Sequence, residues 1–489
     1  MKRFYIYTWG CQMNEHKSEG MAGVLVRAGY LPADDPAHAD VVLFNTCMVR
    51  EKPVEKVYSE AGVIALLKEK NPNLILGVGG CVAQALKEKL FQRSPAIDFV
   101  FGSSNISELP RLIEQVRARR ALGKPGWVMA VDKIPDKIEE LPFLRASRFQ
   151  AKVTIAEGCS NFCSFCIVPY TTGLLRSRLP GDIIAEVRQL ADQGYKEVQL
   201  LGQNVDAYGK DLNDPQITFA SLLRALTEIP IPRIRFTSSH PQDITKEVIE
   251  LLGEENNICE HLHMAVQSGS NKVLSDMRRG YTKEHFLELV EALRERNVNV
   301  TTDIIVGFPT ETEEDFQETV DLVKRARFGG AFIFKYSPRP KTVAFYKYRD
   351  VVPEEEKQRR LEILLTLQKQ ITDEENRKRV GATVEVLVEG LARQKGLLMG
   401  KTRDNRTVVF EGSPELIGEL VKVRITDGSV AGLVGELQTS PDFVWTVRLR
   451  QPLAGQASPG PDTVPPAAAR CTSSEACPGE AWVRAKIDL

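Results

Sequence analysis

The stretch KVTIAEGCSNFCSFCIVPY, residues 152–170, decides the fold. Its first residues alternate and then run apolar, which reads as a β-strand that Gly158 brings to an end. Cys159, Cys163 and Cys166 follow at once with the spacing C-x3-C-x2-C. Three thiolates on one tight loop can ligate three irons of a [4Fe–4S] cube and leave the fourth open, which is what a substrate-binding cluster needs. A closed zinc site wants four ligands, and no fourth Cys or His lies nearby.

Outward from this loop the strand–helix alternation continues. Strands are expected at KVTIAEG, EVQLLG, RIRFTSS, LHMAVQ, VTTDIIVGF and FIFKYS, with helices near 181–194, 218–228, 244–253, 282–296 and 311–327. Six such units predict an incomplete α/β barrel, because the eight-unit form takes about 250 residues, and they put an active site at the C-terminal strand ends. Upstream, RFYIYTW, DVVLFNT, LILGVGG and IDFVFG alternate with helical stretches at about 18–29 and 53–70, the pattern of a parallel, helix-covered sheet. Between the two lies ALGKPGWVMAVDKIPDKIEELPFLRASRF, which carries Gly, Pro and charge without a period and reads as a linker. A charged helix over 353–379 leads into short strands spaced by turn residues, a small all-β barrel or sandwich. The Pro/Ala/Ser-biased end reads as a disordered tail. The expected division is therefore 1–118, linker 119–144, core 145–376, β domain 377–440 and tail 441–489.

Composition narrows the function classes. No apolar run approaches the ~18 residues of a membrane span, and MKRFYIYTWGCQMN lacks the apolar core of a secretory signal. The expectation is a cytoplasmic protein with no membrane association, whose nine cysteines are reduced and best read as ligands. Lys+Arg 64 against Asp+Glu 65 leaves a net charge of −1, so nucleic-acid binding must be local. Cys11, Cys47 and Cys81 each lie just past a strand of the N-terminal sheet, where parallel strand ends form a crevice. Three thiolates there could hold a second cluster, or could be small core residues. Cys259 reads as structural, and Cys471 and Cys477 have no assigned role.

The loop, with Phe165 in its C-x3-C-x-aromatic-C pattern, resembles the radical S-adenosylmethionine superfamily. That resemblance implies that the open iron binds the amino and carboxylate groups of S-adenosylmethionine, that the backbone at Phe165 helps to place the adenine, and that reductive cleavage yields a 5′-deoxyadenosyl radical. WGCQMN, NTCMVREK and GGCVAQ, taken with the loop, resemble the methylthiotransferase family. This implies an α/β protein with a flavodoxin-like N-terminal domain, a partial (β/α)6 radical SAM barrel and a small C-terminal all-β TRAM domain. It also implies two [4Fe–4S] clusters, on Cys159, Cys163 and Cys166 and on Cys11, Cys47 and Cys81, with no acid/base residue and an external flavodoxin- or ferredoxin-type electron donor.

NTCMVREK, GCQMNEH, CIVPYT, LLGQNVDAYG, FTSSHP and YSPRP resemble the branch that methylthiolates isopentenyladenosine in tRNA, so the implied partner is a tRNA anticodon stem-loop. The alternatives are threonylcarbamoyladenosine in tRNA, or a non-catalytic iron–sulfur RNA-binding protein. Polar strand ends are the candidates for the S-adenosylmethionine pocket: Gln203, Asn204, Ser238, Gln267, Ser268 and Asp303, with Arg278 of MRRGYT as a carboxylate or phosphate fork. Arg393, Lys395, Lys401, Arg403 and Arg406, with only Asp404 among them, are the expected RNA patch. The chain departs from the family pattern at TTGLL after PYT, at Ala265, at Thr310, and at Lys341 and Val343, where Gly and Pro are usual.

Overall fold

A computed structural model describes residues 1–48, 52–131, 134 and 137–438. The expected tail, with Cys471 and Cys477, lies outside the described residues.

Six parallel strands build the N-terminal sheet in the order Leu31–Pro32, Arg3–Thr8, Val41–Thr46, Ile75–Gly80, Phe99–Phe101 and Val128–Ala130. Val41–Thr46 and Ile75–Gly80 are buried along their whole length, as near-continuous apolar strands covered on both faces must be. The strand order reverses between Arg3–Thr8 and Val41–Thr46, which opens a crevice at their C-terminal ends. The stretch 119–144 is not simply a linker. Val128–Ala130 adds a sixth strand beside Phe99–Phe101, and the chain then straps back across helix Gln12–Arg27. There Gly23 lets the backbone of Pro142 approach closely, and the Leu144 N–H donates to Glu19 O at 3.0 Å.

The second unit has six parallel strands in chain order. Gln150–Thr154, Glu197–Leu201 and Arg233–Phe236 form one half; His261–His263, Asn299–Val306 and Gly330–Lys335 form the other. Single parallel bridges, Ile234 with Ile258 and Ser239 with Met264, join the halves. Among the described residues the first and last strands do not pair, so the barrel stays open on that side. Helices Pro180–Asp192, Phe219–Thr227, Lys246–Leu251, Lys283–Glu295 and Glu313–Ala326 cover its outer face. Along Asn299–Val306 every second residue is buried toward those helices, and the alternate set, including Thr301 and Asp303, lines the lumen.

Helix Glu354–Arg377 leads to a closed five-stranded barrel in the order Thr383–Leu391, Leu397–Thr402, Thr407–Glu411, Gly432–Leu437 and Leu420–Ser429. This small barrel seals the N-terminal end of the large one. The fully buried Arg233 donates to the Glu385 carboxylate at 2.9 and 3.1 Å and to Lys401 O at 2.9 Å. Arg235 donates to Thr402 O and Arg403 O, both at 3.1 Å. With one end closed, only the C-terminal strand ends remain for a substrate.

Candidate functional site

The N-terminal cysteines stand where three strands of the sheet stop. Cys11 follows Arg3–Thr8 and caps helix Gln12–Arg27, Cys47 follows Val41–Thr46, and Cys81 opens helix Cys81–Leu86. Two glycines make the approach possible. A Cβ on Gly10 would lie 2.9 Å from the Cys47 Cβ, and Gly80, at φ +86°, leaves no room for one beside Thr46 O. A polar web fixes the ends: Asn14 Nδ2 donates to Asn45 Oδ1 at 3.1 Å, Asn45 Nδ2 to Asn14 O at 2.7 Å, and Thr46 Oγ1 to Gly79 O at 2.6 Å. Burial, then the neighbouring Cys11 sulfur, push the Cys81 thiol up, while hydrogen bonds from Thr172 and Thr171 act the other way.

Those two threonines belong to the other site. Cys166 is followed by the one-turn helix Val168–Thr171, so the segment leaving the barrel loop ends against Cys81. Ion pairs fasten the two units around this point: Lys17 to Glu157 at 3.0 Å and Lys152 to Glu15 at 3.1 Å. Thr154, at the end of the first barrel strand, donates to Met13 Sδ at 3.5 Å.

Gly158, at φ +81°, turns the chain into the barrel loop, where its N–H donates to Gln203 Oε1 at 2.6 Å. Ser164 ties the loop to the carbonyls of Met277 and Asp276 at 2.9 and 2.8 Å. Burial raises the Cys159 thiol and pushes Cys166 up to about 12. Buried Arg279 donates through Nη1 to Cys163 Sγ at 3.2 Å, and His240 Nε2 lies 3.9 Å from the same sulfur. Asp243 accepts from Asn161 at 2.9 Å, Asn204 at 2.6 Å and Lys210 at 2.5 Å, and these donors hold its carboxyl below its usual range against burial. Burial, with Arg279, brings His240 down to about 3. Burial pushes Asp206 up to about 7.

The remaining sequence candidates divide. Phe165 packs against Val273, Met277, Phe308, Tyr336 and Ala344. Asn204 and Gln267 each bury an amide oxygen that has no protein partner. Ser238 and Gln267 both hold φ +71°, a conformation unfavourable for residues with a Cβ and one that clusters at functional sites. Asp303 faces His263 Nε2 at 3.3 Å in the lumen. Ser268 is fully buried and accepts from Ser270 N at 3.2 Å, a loop-capping contact.

Arg278 is exposed and turned by φ +58°, and the neighbouring Arg279 is the arginine that reaches the cysteines. The doubled arginine of MRRGYT was the available signal, but it does not say which of the two turns inward. The five basic residues of the C-terminal barrel also do not form one exposed patch. Arg393 and Lys395 are exposed. Arg403 grips the Glu260 carboxylate at 2.7 Å, Arg406 pairs with Asp404 at 3.0 Å, and half-buried Lys401 donates to Thr407 Oγ1 at 2.8 Å.

Among the described residues no three His, Cys, Asp or Glu side chains converge as they would on a single ion. A four-iron cube holds its ligand sulfurs apart by its own width, so two thiolate triads at strand ends fit clusters and do not fit lone ions. The unpartnered Asn204 and Gln267 oxygens at the barrel mouth fit a polar small molecule bound beside the loop.

Residues 3–102 match the Uncharacterized protein family UPF0004, 153–323 the Radical SAM superfamily, and 377–437 the TRAM domain. A tRNA-2-methylthio-N(6)-dimethylallyladenosine synthase of Carboxydothermus hydrogenoformans is 47% identical over 442 residues, covering 89% of this chain and 99% of that protein. One of Geobacillus thermodenitrificans is 47% identical over 441 residues, covering 89% of this chain and 83% of that protein. In solved structures, the radical S-adenosylmethionine methyltransferase TsrM of Kitasatospora setae, with cobalamin and a [4Fe-4S] cluster bound, shares the fold. Its TM-score is 0.51 at 16% identity, over 71% of this chain and 77% of that one. With both cysteine triads, all three domains and identity along nine-tenths of its length, the chain belongs to the tRNA-2-methylthio-N(6)-dimethylallyladenosine synthase family of radical S-adenosylmethionine proteins.

Proposed function

We propose that the chain carries out the reaction for which its relatives are named, converting N6-isopentenyladenosine at position 37 of tRNA to 2-methylthio-N6-isopentenyladenosine. The observation that carries this reading is the docking of the N-terminal triad on the segment leaving the barrel loop, with Cys81 beside Cys11 and against Thr171 and Thr172, which follow Cys166. Cys159, Cys163 and Cys166 hold one [4Fe–4S] cluster, and Cys11, Cys47 and Cys81 hold the other. When bound, these clusters and S-adenosylmethionine supply hydrogen-atom abstraction from carbon 2 and the sulfur and methyl group that replace the hydrogen.

The protein's own side chains bind, orient and exclude. A carbon–hydrogen bond on an aromatic base has no acidic proton, so the reaction asks no general base of the groups beside the barrel cysteines. Arg279 stays cationic, and His240, at about 3, stays neutral. Asn204 and Gln267 offer amide oxygens to the polar end of S-adenosylmethionine, and Phe165 lends its backbone. An adenine next to an anticodon leaves its stack more cheaply than one in a duplex, which favours the anticodon stem-loop as the bound element. Arg393 and Lys395, exposed on the TRAM barrel, supply phosphate contacts. A tRNA substrate and a flavodoxin- or ferredoxin-type electron donor place the work in the cytoplasm. Among the described residues no helix is long and apolar enough to cross a membrane.

The test is expression of the gene in cells whose tRNA lacks the methylthio group, followed by mass spectrometry of the nucleosides. The expected result is 2-methylthio-N6-isopentenyladenosine. Methylthiolated threonylcarbamoyladenosine alone would reassign the substrate, and no methylthio product would refute the reaction.

A further inference from the structure

The three cysteines of the barrel loop are not equivalent. The sulfurs of Cys159 and Cys166 receive the backbone N–H groups of Asn161 and Val168. Cys163 instead faces a guanidinium and an imidazole, with Arg279 Nη1 at 3.2 Å and His240 Nε2 at 3.9 Å. Arg279 is held rigidly: Nη2 donates to Ala265 O at 2.6 Å, and Nε to Tyr281 Oη at 3.0 Å. The Tyr281 hydroxyl in turn donates to Val266 O at 2.7 Å. His240 Nδ1 accepts the Gln242 N–H at 3.3 Å, so its ring proton sits on Nε2, the nitrogen that faces the sulfur.

Arg279 is 4% exposed, and among the described residues no carboxylate pairs with it. Asp243, which faces His240 Nδ1, is engaged by Asn161, Asn204 and Lys210, and Asp206 accepts the His240 N–H. A guanidinium buried without an anion is costly, and the anion available within contact is the Cys163 thiolate. Adding an electron to a cluster held there makes its surroundings more negative. A fixed cation and N–H donors on one ligand sulfur stabilise that reduced state, and burial leaves the attraction weakly screened.

We infer that Arg279, with His240 as a second donor, is a positioning residue that anchors the Cys163 thiolate and raises the reduction potential of the cluster on Cys159, Cys163 and Cys166. One electron passes from the external donor to the cluster in the step it assists, and no bond forms or breaks at Arg279. The inference rests on the reading that these cysteines hold a cluster, but its readout needs no tRNA and no methylthiolation.

The test uses the full chain, reconstituted anaerobically, as wild type, Arg279→Gln and Arg279→Lys. Two quantities are read: iron per chain, and the reduced fraction at a fixed potential from the electron paramagnetic resonance signal that shifts on adding S-adenosylmethionine. The expected result for Arg279→Gln is unchanged iron and a reduced-to-oxidised ratio at least tenfold lower, which is about 59 mV for a one-electron couple. Arg279→Lys, which keeps the charge and loses the fork, should fall between. Full iron with an unchanged ratio in Arg279→Gln would overturn the inference. If Arg279→Gln loses the cluster, Arg279→Lys decides: full iron with a lowered ratio supports the inference, and full iron with an unchanged ratio overturns it. Loss of iron from both variants also overturns it, since the residue would then shape the loop without biasing the cluster. A wild type with no signal that responds to S-adenosylmethionine would overturn the proposed function itself.

Discussion

Gly158 stands at φ +81° where the first barrel strand turns into the ligating loop, and a Cβ there would lie 2.0 Å from Leu174 O. Backbone cannot give way as a side-chain tip can, so Gly158→Ala should displace the loop and leave the N-terminal sheet intact. The expected outcome is a fall from about eight to about four irons per chain on reconstitution, measured by iron and protein assay on the anaerobic sample. At this scale the placement of the six cysteines was legible in the sequence, because C-x3-C-x2-C is local and the other three each follow a strand. Arg279 was not legible. Two adjacent arginines are equivalent in sequence, and only the left-handed turn at Arg278 decides which side chain enters the core. The departure at Lys341 acquires a physical meaning: it holds φ +78°, where a glycine would be unstrained. Thr310, the other residue standing for a glycine, instead donates to Asp276 Oδ2 at 2.6 Å.

The elements that sequence reading missed are short, or depend on partners far along the chain. Val128–Ala130 has three residues between Gly/Pro-rich flanks, too few for a period of two to register, and it becomes a strand because the edge of Phe99–Phe101 is open to it. The basic run of the TRAM barrel misled for the opposite reason. Charge was visible, but Glu260, which engages Arg403, lies 143 residues away along the chain. The strands of that run therefore serve two different ends. Replacing Arg393 and Lys395 together by Ala should weaken tRNA binding and lower the log–log salt slope by about 0.7 to 0.9 per lost phosphate contact, measured by binding titrations at several salt concentrations. Arg403→Ala should instead cost about 2 kcal/mol of stability through the Glu260 pair and its backbone acceptors, read in thermal or denaturant unfolding. A change in salt slope for Arg403→Ala without loss of stability would contradict this division.

In the whole molecule the radical barrel is held by both other units. The TRAM barrel seals its N-terminal end, helix Gln12–Arg27 of the N-terminal unit packs along its first strand, and the strap following Val128–Ala130 fastens that helix through Arg145, which reaches Glu19 at 3.2 Å and Glu186 at 2.7 Å. The order of the units was legible from periodicity, and the convergence of each triad from strand ends. The docking of Cys81 against Thr171 and Thr172, which brings the triads to the same side of the molecule, was not, because it depends on how two separate sheets dock. That contact is the central claim, and it makes a magnetic prediction. Two paramagnetic clusters held near each other relax each other, whereas distant clusters do not. With both clusters reduced, the electron paramagnetic resonance signal of the wild type should be broadened and fast-relaxing, and Cys47→Ala, which removes one thiolate of the N-terminal triad, should leave a narrow, slowly relaxing signal. Identical linewidth and relaxation in the two proteins, with iron assays confirming both clusters in the wild type and one in the variant, would contradict the account.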